Sequence, residues 1–422
     1  MNQIASMARP CDANLTVVEP TLGWTLLSRA ALRHAERSLN EDQQGVRDEI
    51  GFLRLHQAYA NRFFPGTSVL QTRLRYTLFI PWIYQRIAES GARTQIAERV
   101  QQEELRLVAR LKKSKEEGII GGRTFPRPVS QPASMVYWNA LTRWQIVHAP
   151  PGQEPPNRGR LHRHLGLRRP STNLRDDDHD PLDPETSLFV GVPSPPKEWF
   201  KPASALTFIL PNAEREFVRR QWMTVERRVD GRQTLLARMA DQRLEVDESD
   251  LLWSENVRRV ADADDAAALV RAEQVAAFSA IGRAIYAALT ETLRVNVDGL
   301  PTPELHREQL DKVLARYSRP AIALDIPAVL DDEPALAGSR ILEVLRETKA
   351  WLQGSKRALS DLEEVYATAE LRRKRQRARL PRTLTARQRR AEWEAEKHPP
   401  ARPIGYRWYR VHRMLTDLNG AG

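Results

Sequence analysis

The chain has 422 residues, 41% hydrophobic and 28% charged, a globular composition with length for about two or three domains. One cysteine, Cys11, excludes a disulfide framework and a Cys-based zinc site. The formal net charge of +11 favours acidic partners, nucleic acid first.

Residues 1–20 read as a loose arm without the apolar core of a secretory leader, and no apolar run approaches the roughly 18 residues that cross a bilayer, so a cytoplasmic, membrane-free protein is expected. Residues 22–40 read as a short helical segment. Residues 45–90 read as two helices joined by a turn at 64–67. Pro65 and Gly66 suit that turn, and Thr67 or Ser68 is placed to cap the helix that follows. In that helix Leu70, Leu74 and Leu78 share one face, and Pro81 is expected to kink or end it. The next helix spans 93–113, with Ile96, Val100, Leu105, Leu107, Val108 and Leu111 as its apolar set. A glycine-broken turn at 116–123 leads to a helix over 132–147, with Pro132 near its first turn. Residues 149–186 are rich in Pro, Arg and Asp without periodicity and read as a long exposed loop or linker. The stretch from 204 to 211 predicts a short strand or an extended lead into a helix carrying Phe217, Val218 and Trp222. The Ala-rich run from about Asp264 to Val295 is the clearest long helix, with Leu269, Val275, Phe278, Ile281, Ile285 and Leu289 at helical spacing. Further helices are expected at about 303–317, 338–352 and 355–379.

The expected fold is therefore mainly α, with few short strands and a possible winged-helix or helix-turn-helix unit. The domain reading is an arm (1–20), an N-terminal helical domain (21–148), a charged Pro-rich linker (149–197) and a C-terminal helical domain (198–422) with a basic segment at 371–413.

Three places invite a functional reading. Residues 371–382 hold seven basic residues and no acid, so Arg372, Arg373, Lys374, Arg375, Arg377 and Arg379 are candidate phosphate contacts. Glu370 is placed to pair with Lys374 at i,i+4. The 132–147 helix carries Tyr137, Asn139 and Arg143, which suit a groove-reading helix, or an amphipathic helix with Tyr137, Trp138 and Trp144 in the core. The turn at 65–68 followed by Arg73 and Arg75 suits an anion at a helix N-terminus, but buried charges are usually paired, and Asp48 or Glu49 are the expected partners. His162, His164 and His179 with Asp176 to Asp178 form no metal site by spacing, and no P-loop, nucleophile elbow or dinucleotide fingerprint is present. No cofactor, metal or catalytic residue is assigned.

Several separated blocks resemble one uncharacterised bacterial family, a domain of unknown function. They are GVRDEIG at 45–51 with FPGTSVLQTRLRYTLFIPWIY at 64–84, GIIGG at 118–122 with PASMVYWNALTRWQI at 132–146, TLLARMA at 234–240, AAFSAIGRAIYAAL at 276–289, and YRWYRVHRMLTDL at 406–418. Pro65, Gly66, Thr67, Ser68, Arg73, Arg75 and Tyr76 form its signature. The resemblance implies an anti-phage gene setting beside helicases and phospholipase-D-like nucleases, and it implies no catalytic residue. The function expected is a non-enzymatic nucleic-acid-binding component, on DNA or RNA, acting with a helicase or nuclease partner. The alternatives are a protein-binding adaptor and, with least support, a metal-dependent nuclease.

Overall fold

Apolar residues at helical spacing dominate this sequence, and a computed structural model shows the corresponding helices. It describes residues 48–149, 152–167, 188–355 and 357–420. All of these fall in one unit, Val46–Gly422. The expected arm and the helical segment at 22–40 lie outside the described residues.

Fifteen α-helices follow in order among the described residues: α1 Phe52–Phe63, α2 Tyr76–Glu89, α3 Ile96–Lys113, α4 Ala133–Arg143, α5 Arg158–Leu167, α6 Asn212–Met223, α7 Leu235–Asp241, α8 Glu255–Val260, α9 Ala263–Asn296, α10 Leu305–Ile322, α11 Ile326–Asp332, α12 Ile341–Gln353, α13 Glu363–Lys374, α14 Leu384–Ala391 and α15 Trp408–Asn419. Among the described residues, β-pairing is limited to two isolated bridges, Val147 with Phe189 and Glu226 with Gln233. The fold is mainly helical, and no separate winged-helix unit stands out.

The axis of the molecule is α9. Its 34 residues run about 50 Å. Asp262 caps it by accepting from the Asp265 amide. Every residue from Val275 to Gly282 is buried, so the middle of α9 is enclosed on all faces. The hairpin partner α10 lies along it, and α1, α8, α11 and α14 also touch it. One continuous apolar core takes residues from Ile50 to Leu418.

Gly282 marks the closest approach of α1 to α9. A Cβ built there would lie 2.5 Å from Phe52 Cε2, and Phe52 is itself buried in the core. Gly282→Ala is therefore expected to destabilise by about 1–2 kcal/mol, because overpacking outweighs the better helix propensity of alanine. Urea denaturation measures this, and an equal or higher midpoint would refute the close-approach reading.

Two expected helices differ in extent. Residues 67–75 are turns and irregular backbone, and α2 starts only at Tyr76. The hydroxyl of Thr67 donates back to Phe64 O instead of capping forward. Pro81 sits inside α2 without ending it, since every residue from Tyr76 to Tyr84 is buried and that burial offsets one lost bond. The helix expected over 355–379 is α13 alone, preceded by a short 3-10 turn. It ends where Arg375 takes a positive φ and the Glu370 carboxylate accepts from the amides of Arg379 and Leu380 at 2.8 Å each.

Within the stretch read as an irregular loop, α5 is helical and buries Leu161 and Leu165. The lead into α6 is extended, with Leu206, Phe208 and Leu210 buried in alternation and Ile209 exposed, and it forms no named strand.

Candidate anion-binding cleft

The signature at 64–76 is locked inside the protein. Arg75 makes a bidentate pair with Glu214 on α6, Nε to Oε2 at 2.7 Å and Nη2 to Oε1 at 2.6 Å, and donates from Nη1 to Thr207 O. Arg73 donates from Nε to both carboxylate oxygens of Asp417 on α15, at 3.0 and 3.1 Å, and lies 3.4 Å from Glu116. Asp417 also accepts from the Leu74 amide at 2.9 Å. Tyr76 accepts from the Ile120 amide. Gly66 has a positive φ and lies against Trp144, whose indole donates to Pro65 O. Ser68 Oγ accepts from the Leu70 amide. The signature is thus a structural knot, and its arginines pair with Asp417, Glu116 and Glu214, not with Asp48 or Glu49. Neither of those acids is within salt-bridge reach of them, because they sit beside the basic tail.

That tail is partly neutralised. Arg373 forms an ion pair with Asp48. Lys374 lies 3.6 Å from both Glu49 and Glu370 and sits over the Tyr286 ring. Arg379 donates to the Tyr286 hydroxyl. Arg377 is exposed and takes part in an interaction of its own. Arg372 and Arg375 are exposed and have no acidic partner among the described residues.

On α4, Tyr137 is fully buried. Its hydroxyl accepts from the amides of Thr72 and Arg73 and donates to Arg73 O, so the side chain has no surface to offer a ligand. Asn139 is exposed. Arg143 is half-buried, and burial lowers its pKa, with the Arg228 guanidinium adding to the effect.

Arg228 leads to the cluster that the sequence did not single out. A cleft of about 300 Å³ opens between α1, the turn at 226–233 and the segment after α11. The turn forms because Asp230 and Gly231 suit a tight reversal, with Gly231 at φ 70° and the Arg227 amide bonded to Arg232 O. Arg54 and Arg62 come from α1, and Arg227 and Arg228 from the turn. Arg62 and Arg227 are fixed from behind by the fully buried Asp265, at 3.0 and 2.8 Å. Arg227 is further held by Asp230 and Asp262. Arg54 and Arg228 are exposed and have no acidic partner among the described residues. Behind the rim, Arg407 donates from Nη1 to Asn61 Oδ1 at 2.9 Å and to Thr67 O at 2.8 Å. Burial pushes Arg407 down to about 10, which leaves it cationic at neutral pH. The cleft carries one carboxylate, Glu333, half-buried, whose pKa burial raises while Arg62 and Arg228 offset only part of that rise.

Two fixed guanidiniums at the floor and two unpaired ones at the rim suit a phosphate, which takes several charge-assisted bonds. The signal for this in the sequence was the polar stripe Arg54, Gln57 and Asn61 at i, i+3, i+7 on α1, and the Arg227-Arg228 pair ahead of Asp230-Gly231. Among the described residues no cluster of three or more His, Cys, Asp or Glu has metal-binding geometry. His162 contacts the Tyr84 hydroxyl at 2.7 Å, and His179 with Asp176 to Asp178 lies outside the described residues. No described helix is long and apolar enough to cross a membrane.

The fold and cleft define a mainly helical protein with an internally paired arginine signature and a separate arginine-lined cleft. The chain belongs to DUF6361, a family of unknown function whose sequence model matches residues 21–319. Neither the curated proteins nor the solved structures contain a match to it.

Proposed function

We propose that this protein binds nucleic acid and that the arginine-lined cleft is a phosphate contact. The observation that carries this reading is the pair Arg54 and Arg228, exposed on one cleft and without a carboxylate partner among the described residues. Unpaired guanidiniums held beside fixed ones give sequence-tolerant, salt-dependent affinity for a phosphate chain. Arg143 extends the same field from α4, and Arg372 and Arg375 supply a second exposed cationic patch on the tail. The anti-phage setting and a helicase or nuclease partner, implied by the family resemblance, belong to the same proposal.

Double replacement Arg54→Ser with Arg228→Ser is the test. Both side chains are exposed, so thermal stability is expected to hold. Affinity for a fluorescent single-stranded oligonucleotide should fall by about tenfold or more at low salt, and the salt slope should flatten by about 1.4, two phosphate contacts' worth. Unchanged affinity and slope would refute the cleft as the contact. A second reading, a protein-binding adaptor, draws support from the internal pairing of Arg373 and Lys374. Under that reading the wild-type chain shows no affinity for DNA or RNA at moderate ionic strength.

A further inference from the structure

We infer that the cleft takes one ribonucleotide unit, with its phosphate on Arg54 and Arg228 and its ribose 2′-hydroxyl on Glu333. The inference rests on the nucleic-acid reading above and narrows it to RNA or a free ribonucleotide. Glu333 is the feature that a plain phosphate cradle leaves unexplained. It lines the same cleft as the arginines, with Arg62 and Arg228 as its cationic neighbours. Among the described residues neither guanidinium makes an ion pair with it, although Arg62 donates to the backbone oxygen of the preceding residue, Asp332, at 3.1 Å. An ionised carboxylate only accepts hydrogen bonds, and a phosphodiester has no hydrogen to donate. A carboxylate beside a phosphate site therefore calls for a donor on the same ligand. On a nucleotide, the 2′-hydroxyl is the donor that separates RNA from DNA, and carboxylates recognise it in dinucleotide sites.

The rest of the cleft fits that ligand. Val229 is 58% exposed and stands on the turn beside Arg228. Ala335 and Leu336 line the same cleft and add apolar surface for a sugar edge or base. A cleft of about 300 Å³ has room for one such unit. Arg62 and Arg227, held by Asp265, add two fixed cationic groups to the same cleft.

The experiment compares full-length protein binding to a 12-residue oligo(A) RNA and to its deoxy counterpart at one salt concentration, with AMP and dAMP as competitors. The RNA is expected to bind about tenfold more tightly than the DNA. Glu333→Ala should abolish that preference while DNA affinity holds or rises, since a negative charge leaves the cleft. Glu333→Gln keeps a carbonyl acceptor and should restore part of the preference, an outcome that a merely structural Glu333 would not give. Displacement of RNA by AMP at micromolar concentration identifies the free nucleotide as ligand, and displacement only at millimolar concentration identifies the strand. Equal RNA and DNA affinities in the wild type, both lost in the Arg54→Ser, Arg228→Ser protein, would overturn the ribose assignment and leave the nucleic-acid reading standing. Absence of binding to either strand would overturn both.

Discussion

Arg75→Ala is expected to cost about 3–5 kcal/mol, a large share of the roughly 5–15 kcal/mol that holds an ordinary protein folded. The reason is asymmetric. Arg75 and Glu214 are only 5% and 4% exposed at their side chains, and each neutralises the other through two short hydrogen bonds. Removing the guanidinium strands a carboxylate that burial already pushes toward its neutral form, and leaves Thr207 O without its donor. The double variant Arg75→Met with Glu214→Leu removes both charges at similar volume and is expected to recover most of the loss. Urea denaturation of the two variants measures the difference. A single variant within about 1 kcal/mol of wild type would show that the pair does not hold the α2 start to α6.

Stability is expected to fall as the pH drops from 6.5 toward 4, with His56 the main cause. His56 is 4% exposed and stacks on Tyr406. Burial pushes its imidazole down to about 3, and the Arg407 and Arg283 guanidiniums push it the same way. The unfolded chain takes up this proton near 6.5 and the folded chain only near 3. Between those values the unfolded state binds more protons, so stability rises with pH and is lost on acidification. The full window, from 6.5 to about 3, is worth on the order of 5 kcal/mol at about 1.4 kcal/mol per pH unit. Carboxylates whose pKa values are lowered, such as Asp298 and Asp262, add their losses only near and below pH 4, while those raised by burial, such as Glu214 and Glu333, take up protons first in the folded state and offset part of the decline. His162, held at about 4 chiefly by burial, contributes in the same sense, so the comparison must be between variants. His56→Gln should lose some packing at pH 7 yet show a distinctly shallower decline between pH 6.5 and 4.5. Urea midpoints at four pH values check this, and an unaltered slope would clear His56 of the effect.

The parts of the fold legible in the sequence were those set by local periodicity. The run expected from about Asp264 to Val295 is α9 at Ala263–Asn296, and the helix expected over 93–113 is α3 at Ile96–Lys113. Tyr137 and Trp144 belong to the core, which was one of the two readings of their helix. The start of α2 was not legible, because the hydroxyl that looks like a cap turns backward and the amides of Thr72 and Arg73 are held by Tyr137, 65 and 64 residues away. The acids that claim the buried arginines were equally hidden. Glu214 lies 139 residues from Arg75, and no local spacing connects them. A run of basic residues likewise cannot reveal that Asp48, 325 positions earlier, takes up Arg373. The cleft was missed for the same reason, since its cations come from α1 and a distant turn and its carboxylate from a third segment.

The bond between Arg73 and Asp417 spans 344 positions of the chain. A ribosome adding roughly 5–20 residues per second makes Arg73 some 20–70 s before it makes Asp417. Throughout that interval the guanidinium and the Leu74 amide lack the carboxylate that lets them enter the interior. Glu116, 43 positions on, is within reach of Arg73 much earlier, but the junction that ties Leu74 to α15 is completed only once that helix has been made.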